Sequence, residues 1–331
     1  MESHPTILFI LIMMLLVSLS AQQFEMRDTS GMRWFKGNIH THAREGESDS
    51  PVDSVVQWYR DHGYDFLVIT DHSTITLPSG LKEPADSSFL LIPGEEITGH
   101  GHQGELEINA LNIYEAIPPV HDSTDLGALQ KCIHAVRQGK GVPVINHPNY
   151  QWRLGRNILF NSRDCHLFEL YNGFPGTNCE GGAGHPGLEA VWDFLLTSGK
   201  RIYGVAVDDA HVYQELSPEH SNPGRGWVVV RSKDLDAEEI TRHFDSGLFY
   251  SSTGLELLDL RIDFSRIIII IKDTGNTEYT TDFIGSGGKL LYRTNINPAV
   301  YRLSTENHYV RAKITDTTGH CAWIQPVFVA R

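Results

Sequence analysis

The stretch "MRWFKGNIHTH", residues 32–42, reads as a short apolar strand that runs into two histidines. His40 and His42 are one residue apart, so on a strand both rings project from the same face. A single histidine there would be unremarkable. Two on one face, followed by the acid-bearing "AREGESDS" (43–50), look like the beginning of a metal site.

The same ending recurs further along. "DFLVITDH" (65–72) reads as a buried strand closing on Asp71 and His72, and "SFLLIPGEEIT" (88–98) as another carrying Glu95 and Glu96. "GVPVINHP" (141–148) brings His147, "CHLFELYNG" (165–173) brings Glu169, and "RIYGVAVDDAH" (201–211) brings Asp208, Asp209 and His211. Helical periodicity falls between these runs. Val52, Val55, Val56 and Tyr59 follow Pro51, placed at the first helical position, and Gly63 stops that helix. Leu126, Leu129, Ile133 and Val136 mark a helix over 124–138, and a third spans 188–196. Strands alternating with helices imply parallel strands with covering helices. In a closed β/α barrel all strand C-terminal ends meet at one mouth, so ligands scattered over the chain converge on one centre.

From residue 251 the pattern changes to strand-like runs broken by Gly, Asn and Asp. "HYVRAKITDTTGHCAWIQPVFVA" (308–330) predicts a hairpin turning at "DTTGH", and Ile267 to Ile271 predicts a doubly buried strand. The expected organisation is a leader at 1–21, an α/β barrel over 22–250 and a small antiparallel β-domain over 251–331. The leader follows from "ILFILIMMLLV" (7–17) and the small-residue stretch "SLSAQQ" after it, which predict an exported protein, secreted or periplasmic. That run is shorter than the ~20 apolar residues of a membrane span, which places an uncleaved anchor second. The 331 residues carry a net charge of −14, which argues against nucleic acid or an anionic membrane as partner and leaves a small-molecule substrate. The oligomeric state is open. The four cysteines form no close pair of zinc-ligand spacing.

Imidazole and carboxylate ligands together suit Zn, Mn or Fe. A carboxylate can bridge two such ions ~3.5–4 Å apart, and bound water can have its pKa lowered to about 7. Hydrolysis then needs no protein nucleophile.

The ordered motifs "HTH", "TDH", "NHP" and "DAH", with "PGEEIT" between the second and third, resemble the polymerase and histidinol phosphatase (PHP) superfamily over about residues 35–215. The tail, with "FYSSTG" and "YVRAKITDTTGHCAW", is similar to the carbaryl-hydrolase-like branch. The resemblance implies an irregular (β/α)7 barrel holding two or three divalent metal ions. It implies that His40, His42 and Asp209 bind the first ion, that Glu96 bridges, and that His147 binds the second. His72 and His211 would hold a third ion or contact substrate, and Asp71 would orient a neighbouring ligand; Asp71 and His211 are the candidate catalytic pair.

This chain departs from the family pattern at two positions. In the loop after "HTH" the third-ion ligand falls to Asp49, with Glu45 and Glu47 as rivals. Where many relatives have a histidine before "INALNI" this chain has Glu107, with His100 and His102 upstream as alternatives. Arg44, Arg153 and Arg156 are candidates for a phosphate oxygen, as against solvated loop charges. His185 could line the mouth, and Trp152 could wall the pocket or simply pack. Asp208 reads as a capping residue, Glu169 as either orienting a ligand or forming a buried ion pair, and Asn172 as part of a turn. Three functions are compatible with this reading: a phosphoesterase, a carboxylic or carbamate ester hydrolase, and a non-catalytic metal-stabilised protein binding a glycan.

Overall fold

The computed structural model describes residues 29–80, 88–275 and 277–328; the expected leader at 1–21 lies outside the described residues. In chain order, β1 (Arg33–Asn38) is followed by helix α1 (Val52–Asp61), β2 (Phe66–Ile69), β3 (Leu90–His100), β4 (Glu105–Leu111) and the short β5 (Val120–His121). Then come α2 (Asp125–Gln138), β6 (Val142–Ile145), α3 (Arg156–Asn161), β7 (Leu167–Asn172), α4 (Leu188–Thr197) and β8 (Tyr203–Val207). Strands β2, β6 and β8 are buried along their whole length, as uninterrupted Val/Ile/Leu/Phe runs covered on both faces should be. Helix α1 buries Val55, Val56 and Tyr59 and starts one residue later than expected, with Pro51 as its N-cap. Helix α2 starts where Thr124 Oγ1 accepts the Gly127 N–H at 3.0 Å.

Strands β1, β2 and β3 pair in parallel, β4 runs antiparallel between β3 and β6, and β6, β7 and β8 are parallel again. The ring of seven closes beyond the ends of β1 and β8. There Thr41 bridges Ala210 in parallel, His40 O accepts the Asp209 N–H at 3.0 Å, and His42 N donates to Ala210 O at 3.0 Å. The closing bonds therefore belong to the residues predicted as ligands. The result is the α/β fold expected: an irregular ring of seven strands, then an antiparallel β region.

Lower down, the two strands part and β9 (Trp227–Ser232) lies against β1 in antiparallel pairing. Helix α5 (Ala237–Asp245), which the periodicity did not predict, follows, capped by Asp236 accepting Glu239 N–H at 3.0 Å. Then β10 (Phe249–Ser252), β11 (Leu257–Ile262), β12 (Arg266–Ile271), β13 (Tyr279–Gly285), β14 (Lys289–Thr294), β15 (Ala299–Arg302), β16 (Tyr309–Asp316) and β17 (Cys321–Phe328) complete the chain. Sheet pairing runs unbroken from the ring through β9, β10, β17, β16 and β13 to β14, while β11, β12 and β15 form a separate three-stranded sheet. The predicted hairpin at "DTTGH" is β16–β17. Ile267, Ile269 and Ile271 are buried but Ile268 and Ile270 only half-buried. The expected doubly buried strand is thus covered on one face, because the small sheet packs on one side only.

Two apolar bodies hold this together. One fills and flanks the ring, with Phe168, Trp192 and Val205 among its members; the other joins α1 and β2 to the tail through Tyr59, Leu67, Ile269 and Ile324. Buried polar contacts reinforce the junction. Arg311 donates twice to Asp193 at 2.7 Å, and the Gln325 amide satisfies both backbone groups of Gly204 on β8, at 3.0 and 2.8 Å. No described helix is long and apolar enough to cross a membrane.

Candidate metal centre

His40 and His42, both buried, extend past the end of β1 on one face, their rings 5.3 Å apart. Each turns its Nε2 toward the same two carboxylates. His40 Nε2 lies 3.2 Å from Glu96 Oε2 and 3.3 Å from Asp209 Oδ1, and His42 Nε2 lies 3.3 Å from each. Neither nitrogen makes a hydrogen bond within the protein. Buried polar atoms almost always have a partner, so two orphaned imidazole nitrogens aimed at two carboxylate oxygens mark a place for a cation. The donor set, two imidazoles and two carboxylates, fits a divalent metal of the Zn, Mn or Fe kind.

Glu96 also faces the other side of the cluster. Its Oε1 lies 3.5 Å from His147 Nε2, whose other carboxylate neighbour is Glu107 Oε2 at 3.3 Å, while His72 Nε2 lies 3.5 Å from Glu96 Oε2. Candidate ligand atoms group as His40–His42–Asp209, His42–Glu47–His72 and His72–Glu96–Glu107. His211 stacks on His42 at 4.0 Å and reaches Asp209 Oδ1 at 3.2 Å.

Burial by itself would raise the Glu96 carboxyl, but the imidazoles of His40, His147 and His42 hold it well below the usual range; Asp209 behaves the same way. Burial would lower His40, yet Asp209, Glu96 and Glu169 raise it well above an ordinary imidazole. Glu107 is pushed up to about 7, by burial first and then by the charge of Glu96. An imidazole ligates a metal only in its neutral form, so binding a divalent ion at this cluster would release protons.

The supporting groups come from distant strands. Glu169, fully buried on β7, accepts from His40 Nδ1 at 2.6 Å, from the His147 N–H at 2.6 Å and from Asn172 Nδ2 at 2.7 Å. Asn172 also donates to Asp209 Oδ2 at 3.0 Å, so it does more than shape the turn expected there. Asn146 donates to Glu96 Oε1 at 2.7 Å. Such contacts fix the orientation of ligands and raise their basicity. Asp208 turns away from the cluster and takes the N–H groups of Gly224, Arg225 and Gly226 and the Tyr59 hydroxyl. Asp71 Oδ1 accepts the N–H groups of Ala43 and Arg44 at 2.8 and 2.9 Å, which pins the loop after the histidine pair. Asp209 and His147 both have positive φ, 52° and 21°, and strained backbone of this sort clusters at functional sites.

Several expected residues lie elsewhere. Asp49 is turned from the cluster because its carboxylate caps the N–H groups of Tyr213 and Gln214 at 2.9 and 3.1 Å. Its rival Glu47 faces the imidazoles instead, 3.3 Å from His42 Nδ1 and accepting the His72 N–H at 3.0 Å. His102 is exposed in the β3–β4 turn, and His100 stacks on His121 at 4.4 Å; both are carried off along the hairpin, while Glu107 faces the centre. Arg44 is half-exposed and donates to His72 O and Thr74 Oγ1, bracing the loop. Arg156 packs over Phe194, and His185 stacks on Trp152 at 4.4 Å; both line a groove on the far side of the 149–158 segment. Arg153 alone among the three arginines lines the cleft of about 280 Å³ that opens onto His72, Glu96, His147 and His211, with Tyr150 and Phe174 as aromatic walls.

No family model matches this chain, and no curated protein matches it. Among solved structures, it is similar to a two-domain protein from Bacteroides vulgatus ATCC 8482 containing a predicted PHP-like metal-dependent phosphoesterase, over 93% of this chain and 99% of the other, at 15% identity and a TM-score of 0.46. It is also similar to the lesion-specific endonuclease PfuEndoQ from Pyrococcus furiosus, over 65% and 56% of the two chains, at 12% identity and a TM-score of 0.38. At these values the likenesses add nothing to the site, which stands on its own geometry.

Proposed function

We propose that this chain is an exported metal-dependent hydrolase of PHP type, a phosphoesterase acting on a small phosphorylated molecule, with residues 22–250 as its catalytic barrel and 251–331 as an appended β-domain. One observation carries the reading: His40 Nε2 and His42 Nε2, buried and without hydrogen-bond partners, face Glu96 and Asp209 at 3.2–3.3 Å.

His40, His42, Asp209 and Glu96 would hold one ion, and His147 and Glu107 would share Glu96 with a second. His72, Glu47 and His211 offer a third position. Divalent ions supply a lowered pKa for water and charge neutralisation at phosphorus. The chain does the rest. Glu169 accepts from His40 Nδ1, which leaves Nε2 free as the ligating atom. Asn172 and Asn146 hold the carboxylates of Asp209 and Glu96 in place. Tyr150 and Phe174 line the cleft as aromatic surfaces on which a substrate could lie. The export of the protein rests on the leader-like residues 7–17.

The test is metal content by elemental mass spectrometry beside Asp209→Ala, followed by turnover of p-nitrophenyl phosphate and of 1-naphthyl N-methylcarbamate at equal metal loading. Two or three equivalents of metal, reduced in the variant, with phosphate release and little carbamate cleavage, are expected. A fully loaded protein that hydrolyses only the carbamate would replace the phosphoesterase reading. One that hydrolyses neither would remove it.

A further inference from the structure

The charge lining of the cleft is lopsided. Glu96, Glu105, Glu107 and Asp209 contribute carboxylates, and among the described lining residues Arg153 is the one Lys or Arg. Its guanidinium is half-buried and its hydrogen bonds are to neutral acceptors: Nη1 donates to Gln103 O and Nη2 to Gln151 Oε1, the latter at 2.6 Å. Among the described residues it has no carboxylate partner. Of the five N–H donors of a guanidinium, two are thus engaged, and three remain for a ligand.

Its place is built. Nη1 lies where a Cβ on Gly104 would stand, so only glycine at 104, with φ of 117°, lets the arginine lie on the β3–β4 turn. The preceding residues Gln151 and Trp152 both have positive φ, 50° and 58°, a costly pair of conformations for side-chain-bearing residues. Gly104 lies in the β3–β4 turn just before β4 and is three residues from Glu107, a chain span of at most about 10 Å. Arg153 is thus held at the turn end of the cleft, with Tyr150 and Leu154 lining the cleft beside it and the Glu96–His147–Glu107 cluster lining it further along the chain.

We infer that Arg153 forms a separate subsite for a second anionic group of the substrate, a carboxylate or a phosphate, carried at most about 10 Å from the scissile ester. This rests on the proposed phosphoesterase reading. The substrate class is then a doubly anionic molecule whose middle part is apolar or planar enough to lie along Tyr150.

The test uses the full, metal-loaded chain and three aryl phosphates with one leaving group: 3-(4-phosphonooxyphenyl)propanoate, its methyl ester, and the analogue bearing a phosphate in place of the carboxylate. The two anionic compounds should exceed the methyl ester in kcat/KM by about 10- to 100-fold, the worth of a charge-assisted bond, with the gain in KM. Whichever anion is favoured names the distal group. Arg153→Gln should bring the ratios to about one, Arg153→Lys should retain part of them, and Gly104→Ala should reduce them with the charge still present. Metal content measured on each variant reports folding. Ratios near one in the wild type, or ratios unchanged in Arg153→Gln, would overturn the inference and leave Arg153 as a clamp on the turn. If none of the esters is hydrolysed, the same comparison is made by calorimetry with the corresponding non-hydrolysable phosphonates. An anion preference lost in Arg153→Gln then upholds the subsite while the hydrolytic reading fails.

Discussion

Replacing Glu169 by glutamine tests the centre without touching a proposed ligand. The carboxylate is fully buried and accepts three hydrogen bonds, from His40 Nδ1, the His147 N–H and Asn172 Nδ2, all at 2.6–2.7 Å. A carboxylate can accept on both oxygens; a glutamine amide has one acceptor oxygen and an NH2 group that only donates. If its NH2 faces His40, the Nδ1 proton is displaced and Nε2 becomes the protonated nitrogen, which cannot ligate. If it faces the other way, it meets two donors, from His147 and Asn172. Either orientation damages the centre. Losing an outer partner of a metal ligand typically costs 10- to 100-fold in affinity, or about 1.4–2.7 kcal/mol. Titration of metal-free protein with Zn²⁺ against a competing chelator should show the tightest step weakened by that factor in Glu169→Gln. Thermal unfolding in chelator checks that the fold survives. A variant that folds and binds the first ion as tightly as wild type would refute the claim that Glu169 orients His40.

Glu47→Ala should weaken or abolish a third equivalent of metal, whereas Asp49→Ala should spare it and instead loosen the 211–214 loop; elemental analysis and limited proteolysis separate the two. Arg311 is 2% exposed and bonded to Asp193, so Arg311→Met, which strands the carboxylate, should cost about 3–5 kcal/mol in urea unfolding. The Tyr309 hydroxyl, 2.9 Å from Asp193, should moderate that loss. Stripping metal with chelator should lower the melting temperature, since ions at 100 times their Kd contribute about 2.7 kcal/mol per site. Restoration by Zn²⁺ or Mn²⁺ in differential scanning fluorimetry completes that test, and an unchanged melting temperature would count against the centre.

The ring was legible because most of its candidate ligands lie in short motifs at or just past strand ends, with Glu96 inside β3. A one-residue spacing in "HTH" puts two rings on one face whatever surrounds them. Likewise the buried strands of the ring are continuous apolar runs, and the helices between them show a clear period. The loop at 43–50 has no period, so Glu45, Glu47 and Asp49 could not be ranked; the choice rests on which backbone N–H groups each carboxylate meets, and Asp49 meets those of Tyr213 and Gln214. Glu107 could not be told from His100 and His102 until the β4–β6 register placed it beside His147.

The sequence by itself determined the class of fold, the order of the strands that carry the candidate ligands and the imidazole–carboxylate character of the candidate centre. These depend on period, composition and spacing, which are local. Only the tertiary structure decided how the ring closes, through Thr41 and Ala210, and how β9 joins the ring to the tail sheet. It also decided that Glu169 supports His40 from 129 residues away, and that Arg153 faces the cleft while Arg156 does not. A hydrogen bond or an orientation of this kind exists only once two distant segments share a space, and no local pattern encodes it.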